Sequence, residues 1–335
     1  MLRPSKAILD SFRGRKVLIA GDLVADQFLE GTISRVSREA PVFIMRHDAT
    51  ETRPGGAANA AANIASLGGT PIVIGFTGAD ANGQLLRSAL SERSVNCDRV
   101  LRVDGAQTTT KVRVLAGQQY AARQQVIRID YEGELPDVAR VESQLVASLE
   151  DAAETAEAII ISDYGYGAVS PGLFEAAKRI AEERNIPIVA DSRFRLEAFA
   201  GASTATPNQD EVEHILGPGF TDADCESLRR RLELEALLVT RGNKGMLLVE
   251  SGRDPLSIEA VGSTTPVDVT GAGDTVIAAY ALGLAAGLSY AEAASIANHA
   301  GGIVVMKRGT ATATPEELLA SVSDSAADAA AKQAI

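Results

Sequence analysis

The chain has 335 residues, 46% of them hydrophobic, a mean hydropathy of +0.05 and a formal net charge of −12. That length and balance suit one large α/β domain or two small ones around a sizeable core, and the acidic excess argues against a nucleic-acid partner. Two cysteines without CxxC spacing (Cys97 and Cys225) read as reduced thiols, and with no apolar run near ~18 residues and no h-region in Met1 to Gly14, a cytoplasmic, non-membrane protein is expected.

Lys16-Val17-Leu18-Ile19-Ala20 is a short buried-strand run ending in Gly21-Asp22. In an open α/β sheet ligands gather at such strand ends, where the Asp22 carboxylate suits bidentate bonding to vicinal hydroxyls. A capped turn is the plain alternative. Gln27 to His47 then alternates apolar and polar residues, as a strand with one solvated face does. In Arg53-Pro54-Gly55-Gly56-Ala57-Ala58-Asn59 two adjacent glycines let a ligand approach the backbone. Asn59, one turn into a helix expected over Gly56 to Ser66, offers donor and acceptor together; the alternative is a plain loop-to-helix turn with Asn59 facing water.

Thr70 to Gly75 reads as a strand again, and Thr108 to Asp130 repeats the period-two alternation, as in Lys111-Val112-Arg113-Val114 and Val126-Ile127-Arg128-Ile129. With Gln27 to His47 it predicts a small antiparallel flap beside the main sheet, placed to cover a substrate, to pair with a second subunit, or both. Helices follow at Val138 to Ala153, Pro171 to Arg184 and Asp222 to Leu232, interleaved with strands at Ala158 to Ile161, Pro187 to Ala190 and Leu237 to Thr240. This alternation predicts a mostly parallel sheet with helices on both faces.

Thr206-Pro207-Asn208-Gln209-Asp210-Glu211 sets an amide and a carboxylate three apart at a strand end and helix start. Glu211 reads as a capping-box member or as an organiser of waters around Mg²⁺ on nucleotide phosphates. The loop Thr240-Arg241-Gly242-Asn243-Lys244-Gly245 either lies along a nucleotide or makes a hairpin. His47, His214 and His299 have no metal-ligand spacing and receive no catalytic role. The segment 321–335 is rich in Ala, Ser and Asp and reads as the extension of a helix starting near Pro315 or as a frayed tail. No repeat or linker divides the chain, so 1–335 is expected to be a single domain.

The most telling stretch is Val267-Asp268-Val269-Thr270-Gly271-Ala272-Gly273-Asp274-Thr275, followed by an apolar helical run from Val276 to Leu284. A Gly-Ala-Gly turn aims backbone N–H groups of Gly271, Ala272 and Gly273 into one small space, and the helix adds the positive end of its dipole. That suits phosphate or developing negative charge. An isolated Asp at a first helical turn is usually a cap; beside an anion hole, the task for Asp274 is to take a proton from a hydroxyl. The chemistry indicated is phosphoryl transfer to an alcohol. No GxxxxGK[ST] loop occurs, and Val276 stands where a GxGxxG loop needs its third glycine, so P-loop and dinucleotide-fold readings are set aside.

Taken in order, these motifs resemble the ribokinase/PfkB family of carbohydrate kinases from about Lys16 to Leu319. Gly55-Gly56 with Asn59 looks like the family's first signature and Asp268 to Asp274 like its second. Within the family the heptose 7-phosphate kinase subgroup is the nearest likeness. It is carried by Gly21-Asp22 with Asp26, Ser34-Arg35-Val36-Ser37, Arg53 to Asn59, Thr108 to Arg113, Gln124 to Asp130 and Ser162-Asp163-Tyr164-Gly165. Departures are Tyr166 and Arg193, where the subgroup carries lysines, and Arg38 in place of proline.

The resemblance implies a ribokinase-like fold with a β lid, ATP and Mg²⁺ as cofactors, and a sugar or sugar-phosphate substrate. It implies Asp22, Asp26, Arg35, Gly55, Gly56 and Asn59 on the sugar. Asn208, Glu211, Thr240, Arg241, Gly242 and Gly245 would lie near ATP and Mg²⁺, Asn298 near the adenine, and a monovalent cation such as K⁺ close to Asp268. Lys111, Arg113 and Arg128, on the flap strands, are candidates for a phosphate already on the sugar, with a solvated strand face as the alternative. A homodimer through the flap is expected. A kinase of a free sugar or nucleoside is the runner-up, and a non-catalytic sugar-binding regulator the reading from another class.

Overall fold

Aliphatic runs make the centre of the molecule, and the computed structural model shows what they join; it describes residues 4–118, 123–262 and 265–322. In chain order the strands are β1 (Lys16–Gly21), β2 (Leu23–Val36), β3 (Phe43–Gly56), β4 (Thr70–Gly78), β5 (Val100–Val103), β6 (Thr110–Gly117) and β7 (Gln124–Tyr131). After these come β8 (Ala158–Asp163), β9 (Ile188–Ser192), β10 (Thr204–Ala205), β11 (Ala236–Thr240), β12 (Met246–Glu250) and β13 (Leu256–Ile258). The helices are α1 (Lys6–Ser11), α2 (Ala57–Ser66), α3 (Ala81–Ser91), α4 (Val138–Ala153), α5 (Pro171–Arg184), α6 (Gln209–Leu216), α7 (Asp222–Arg231), α8 (Ala272–Ala285) and α9 (Tyr290–Val304).

A nine-stranded sheet runs β13-β12-β11-β10-β9-β8-β1-β4-β5. It is parallel from β11 to β5, and the β11–β12–β13 edge is antiparallel. Parallel strands covered on both faces read as continuous apolar runs, and β1 and β8 are buried almost end to end. Successive side chains feed two cores. Val17 and Ile19 pack with α2, α8 and α9, whereas Leu18 and Ala20 pack with α4, α5 and α7.

Helix ends follow their sequences. Ser170 caps α5 through the N–H of Leu173, with Pro171 at the first position. Asn208 and Glu211 form a reciprocal capping box on α6. α8 is buried around nearly its whole circumference, as an apolar helix without a polar face must be.

The second sheet, β3-β2-β6-β7, is the expected flap. It consists of two antiparallel hairpins, β2·β3 and β6·β7, joined by a parallel pair between β2 and β6. Alternation fixes which side chains share a face, not which strand lies beside which. Helices α1, α3 and α9 and the edge strands β5, β12 and β13 were not expected. The helical turns over 315–322 agree with a helix starting near Pro315; the rest of the tail lies outside the described residues, as does 119–122 of the lid. Among the described residues no helix is long and apolar enough to cross a membrane, and both cysteines are free.

Candidate active site

Strands β1, β8, β9, β10 and β11 end on one edge of the sheet, and the start of α8 faces that edge. Asp274, in the first turn of α8, is 4% exposed and lines a cavity of about 380 Å³ that the flap covers from the other side. Its Oδ2 accepts from Asn59 Nδ2 at 2.9 Å and its Oδ1 from the Tyr164 hydroxyl at 2.6 Å. Burial pushes its pKa up to about 6. The bonds from Tyr164 and Asn59 oppose that rise, Asp26 adds to it, and Lys111 opposes it. A carboxylate with pKa about 6 is ionised at neutral pH yet basic enough to accept a proton.

The turn before it needs glycine at one place. Gly271 sits at φ +77°, and a Cβ there would meet Asn59 Nδ2 at 2.6 Å. Ala272 N–H bonds Val269 O and Thr275 N–H bonds Gly271 O, whereas the N–H groups of Gly271, Gly273 and Asp274 meet no acceptor among the described residues. Of the three amides expected to face an anion, that of Ala272 is thus engaged within the turn. The next one, Asp274's own, takes its place among the unengaged first-turn donors.

Two cavities meet at this turn. The larger holds charge: Asp26, Asp191, Glu211 and Asp274 against Lys111, Arg113, Arg128 and Arg193. Arg113 is paired with Asp26 at 2.5 Å and Arg128 with Asp130 at 2.9 Å. Lys111 and Arg193 have no ion-pair partner among the described residues. The Lys111 ammonium lies 5.3 Å from the Tyr164 ring centre and 5.4 Å from that of Tyr166, and burial lowers its pKa. Burial raises Asp191 well above the ordinary range, and the charges of Glu211, Asp274 and Asp163 add to this. The smaller cavity, about 180 Å³, is lined by Gly242, Gly245, Met246, Val261, Val276, Asn298, Gly301 and Val305 among others. Thr240, Val269 and Gly273 border both.

The fold thus brings together Asp26, Gly56, Lys111, Arg113, Arg128, Asn208, Glu211, Thr240, Gly271, Gly273 and Asp274 around one cavity, and Thr240, Gly242, Gly245, Ala272 and Asn298 around the other. Asn298 donates its amide to Glu259 O. Asn59 reaches the site through Asp274, and Gly55 lies behind Asp26, where a Cβ would come within 2.6 Å of its carboxylate.

Other expected residues are not brought there. Asp22, 2% exposed, accepts the backbone N–H groups of Tyr164, Tyr166 and Ala168, so it shapes the β8–α5 loop rather than facing hydroxyls. Arg35 is exposed on the distal part of β2. Arg241 pairs with Asp222 and borders neither cavity. Asp268 borders neither and accepts from Thr270 and Gly309 N–H, and those bonds hold its pKa down against the effect of burial. Tyr164, Asp191 and Arg193 are site residues that the motif reading did not assign. Their common signal is position, each at or just beyond the carboxyl end of β8 or β9.

The family model for pfkB family carbohydrate kinase matches residues 29–317. The chain is 42% identical over 331 residues to bifunctional protein HldE of Halorhodospira halophila, covering 96% of this chain and 66% of that protein. It is 39% identical over 320 residues to HldE of Aeromonas salmonicida, covering 93% and 65%. The chain therefore spans slightly less than two thirds of the length of these curated relatives. Among solved structures, Arabidopsis thaliana ribokinase complexed with ribose and ATP superposes with a TM-score of 0.70 at 21% identity, covering 92% of this chain and 98% of that one. Phosphofructokinase-2 from Escherichia coli in complex with substrates and products gives 0.73 at 21% identity over 91% and 97%. These two likenesses establish the ribokinase-like fold.

Proposed function

The chain belongs to the pfkB family of carbohydrate kinases, and from that premise we propose that it transfers the terminal phosphoryl group of ATP to a sugar-phosphate hydroxyl, with D-glycero-D-manno-heptose 7-phosphate as the substrate type. The observation that carries this reading is a buried carboxylate of raised pKa, Asp274, in the charged cavity, next to Gly273 where that cavity meets the apolar one and beside unengaged N–H groups. The acceptor hydroxyl gives its proton to Asp274 as its oxygen bonds to phosphorus and ADP leaves with the electrons of the broken P–O bond. The N–H groups of Gly271 and Gly273 and the α8 terminus stabilise charge on the phosphoryl in flight.

The nucleotide belongs in the apolar cavity, its base toward Asn298 and its phosphates toward Thr240 and Gly242. Mg²⁺ keeps most of its waters and suits a single cavity carboxylate such as Glu211. Among the described residues no cluster of three or more His, Cys, Asp or Glu side chains forms a cage for it. When bound on ATP, it neutralises phosphate charge. At Asp268 both carboxylate oxygens accept backbone N–H groups, a set that holds a loop together, and no step is assigned to K⁺ there.

The sugar's own phosphate is assigned to the part of the charged cavity lined by Lys111 of the flap and Arg193 beyond β9, which have no ion-pair partner among the described residues. ADP release measured over paired sugars and sugar phosphates tests this. Charge-assisted bonds to one phosphate are worth roughly 10–100-fold in kcat/KM, so the seven-carbon 7-phosphate should exceed its unphosphorylated form by at least about tenfold. Equal rates favour the free-sugar kinase, and no ADP from any sugar favours the regulator. The homodimer is assigned to the flap because Ile127, Ile129 and Tyr131 share one face of β7 and are exposed. Ile127→Glu should turn a dimer into a monomer in sedimentation; a wild type that sediments as a monomer removes this assignment.

A further inference from the structure

Behind Asp274 runs a chain of three hydrogen bonds with a single sense. Ala313 N–H donates to Asn63 Oδ1 at 3.3 Å, Asn63 Nδ2 to Asn59 Oδ1 at 3.3 Å, and Asn59 Nδ2 to Asp274 Oδ2 at 2.9 Å. A backbone N–H can only donate. It obliges Asn63 to turn its oxygen toward Ala313 and its NH₂ toward Asn59. Asn59 must then show its oxygen to Asn63 and its NH₂ to the carboxylate. Turning either amide over would set two donors or two acceptors face to face. Such a mismatch is costly here, because Asn63 is fully buried and Asn59 is 1% exposed. Each amide is tied a second time in the same sense: Asn63 Nδ2 donates to Asn59 O at 3.0 Å, and Asn59 Nδ2 to Gly271 O at 3.3 Å.

We infer that Asn63 is a positioning residue for phosphoryl transfer: through the hydrogen bond to Asn59 it fixes which end of that amide meets Asp274, and so keeps the carboxylate turned and ready to accept a proton. Asn63 borders neither cavity and acts only through its neighbour. The inference rests on Asp274 being the base. With the amide reversed, a carbonyl oxygen would face the carboxylate and hold a proton on it. The other groups facing Asp274 come from separate elements and stay in place when Asn63 changes: the Tyr164 hydroxyl beyond β8, Asp26 on β2, Lys111 on β6 and Asp191 on β9.

The test follows kcat/KM against pH in the intact protein, with ADP binding as the check on folding. Asn63→Leu should move the acid limb up by about one pH unit, the equivalent of one lost bond to a charged group. Activity would then fall about fivefold at pH 6 and hardly at all at pH 8.5. Asn59→Leu should move the limb as far or further, and the double variant no further than Asn59→Leu alone. An unmoved acid limb with a uniform loss at all pH values reduces Asn63 to packing and overturns the inference, as does a double-variant shift equal to the sum of the two. If Asn63→Leu does not bind ADP, Asn63→Ala, which removes bulk instead of reshaping it, reads the same limb. Full turnover in Asp274→Asn would instead defeat the kinase mechanism, a separate outcome.

Discussion

The two cavities that meet at the 271–273 turn differ in almost everything but their shared wall. One is lined mostly by glycines and apolar side chains, with Thr240, Asn243 and Asn298; the other gathers four carboxylates and four cations around about 380 Å³. An apolar slot accepts a flat base by shape, whereas dense charge both recognises anions and moves pKa values. In the charged cavity burial brings Asp274 into the range where proton transfer at neutral pH is easy. The two cavities are thus built from different residue types on either side of Gly273.

That division can be broken from the charged side first. Asp274→Asn should leave ADP affinity within about twofold while kcat falls at least ~10²-fold, the low end for a lost general base; parallel losses in binding and rate would mean that the cavities are not separate. The wall itself comes next. A Cβ at Gly273 meets no atom within 4 Å, so Gly273→Val should fold with unchanged Tm and yet lower kcat/KM by roughly 10–100-fold, since misplacing the reactants by about 1 Å can cost as much. A variant with wild-type kinetics would show that phosphoryl transfer does not pass this point. The smallest effect belongs to the flap. Lys111→Ala should lower kcat/KM about tenfold for a phosphorylated sugar and within about twofold for its free form; equal losses on both would take Lys111 out of phosphate recognition.

What was legible in the sequence follows the same physics. β1 and β8 announce themselves because strands covered on both faces must be apolar throughout, and α4 and α5 because amphipathic stripes and caps mark their limits. The 267–275 motif was legible because a Gly-Ala-Gly turn before a carboxylate has few other uses. α9 was not, because it is buried nearly all round and its Ala- and Gly-rich sequence lacks a polar face to contrast with. Side-chain partners across the fold were equally hidden. Nothing near position 164 shows that its hydroxyl meets a carboxylate 110 residues away, and nothing near Asp22 shows that three loop N–H groups will occupy it. Asn63, an amide inside an alanine-rich helix, gains meaning only once Ala313 is placed beside it.

The most direct measurement is the pH dependence of kcat/KM for the wild-type protein with its best sugar acceptor. Asp274 must be ionised to take the proton, and burial sets its pKa at about 6. The rate should therefore be level above neutrality and fall tenfold per pH unit below about pH 6. A rate that stays level from pH 7 down to pH 5 in the folded protein would contradict the assignment of Asp274 as the base.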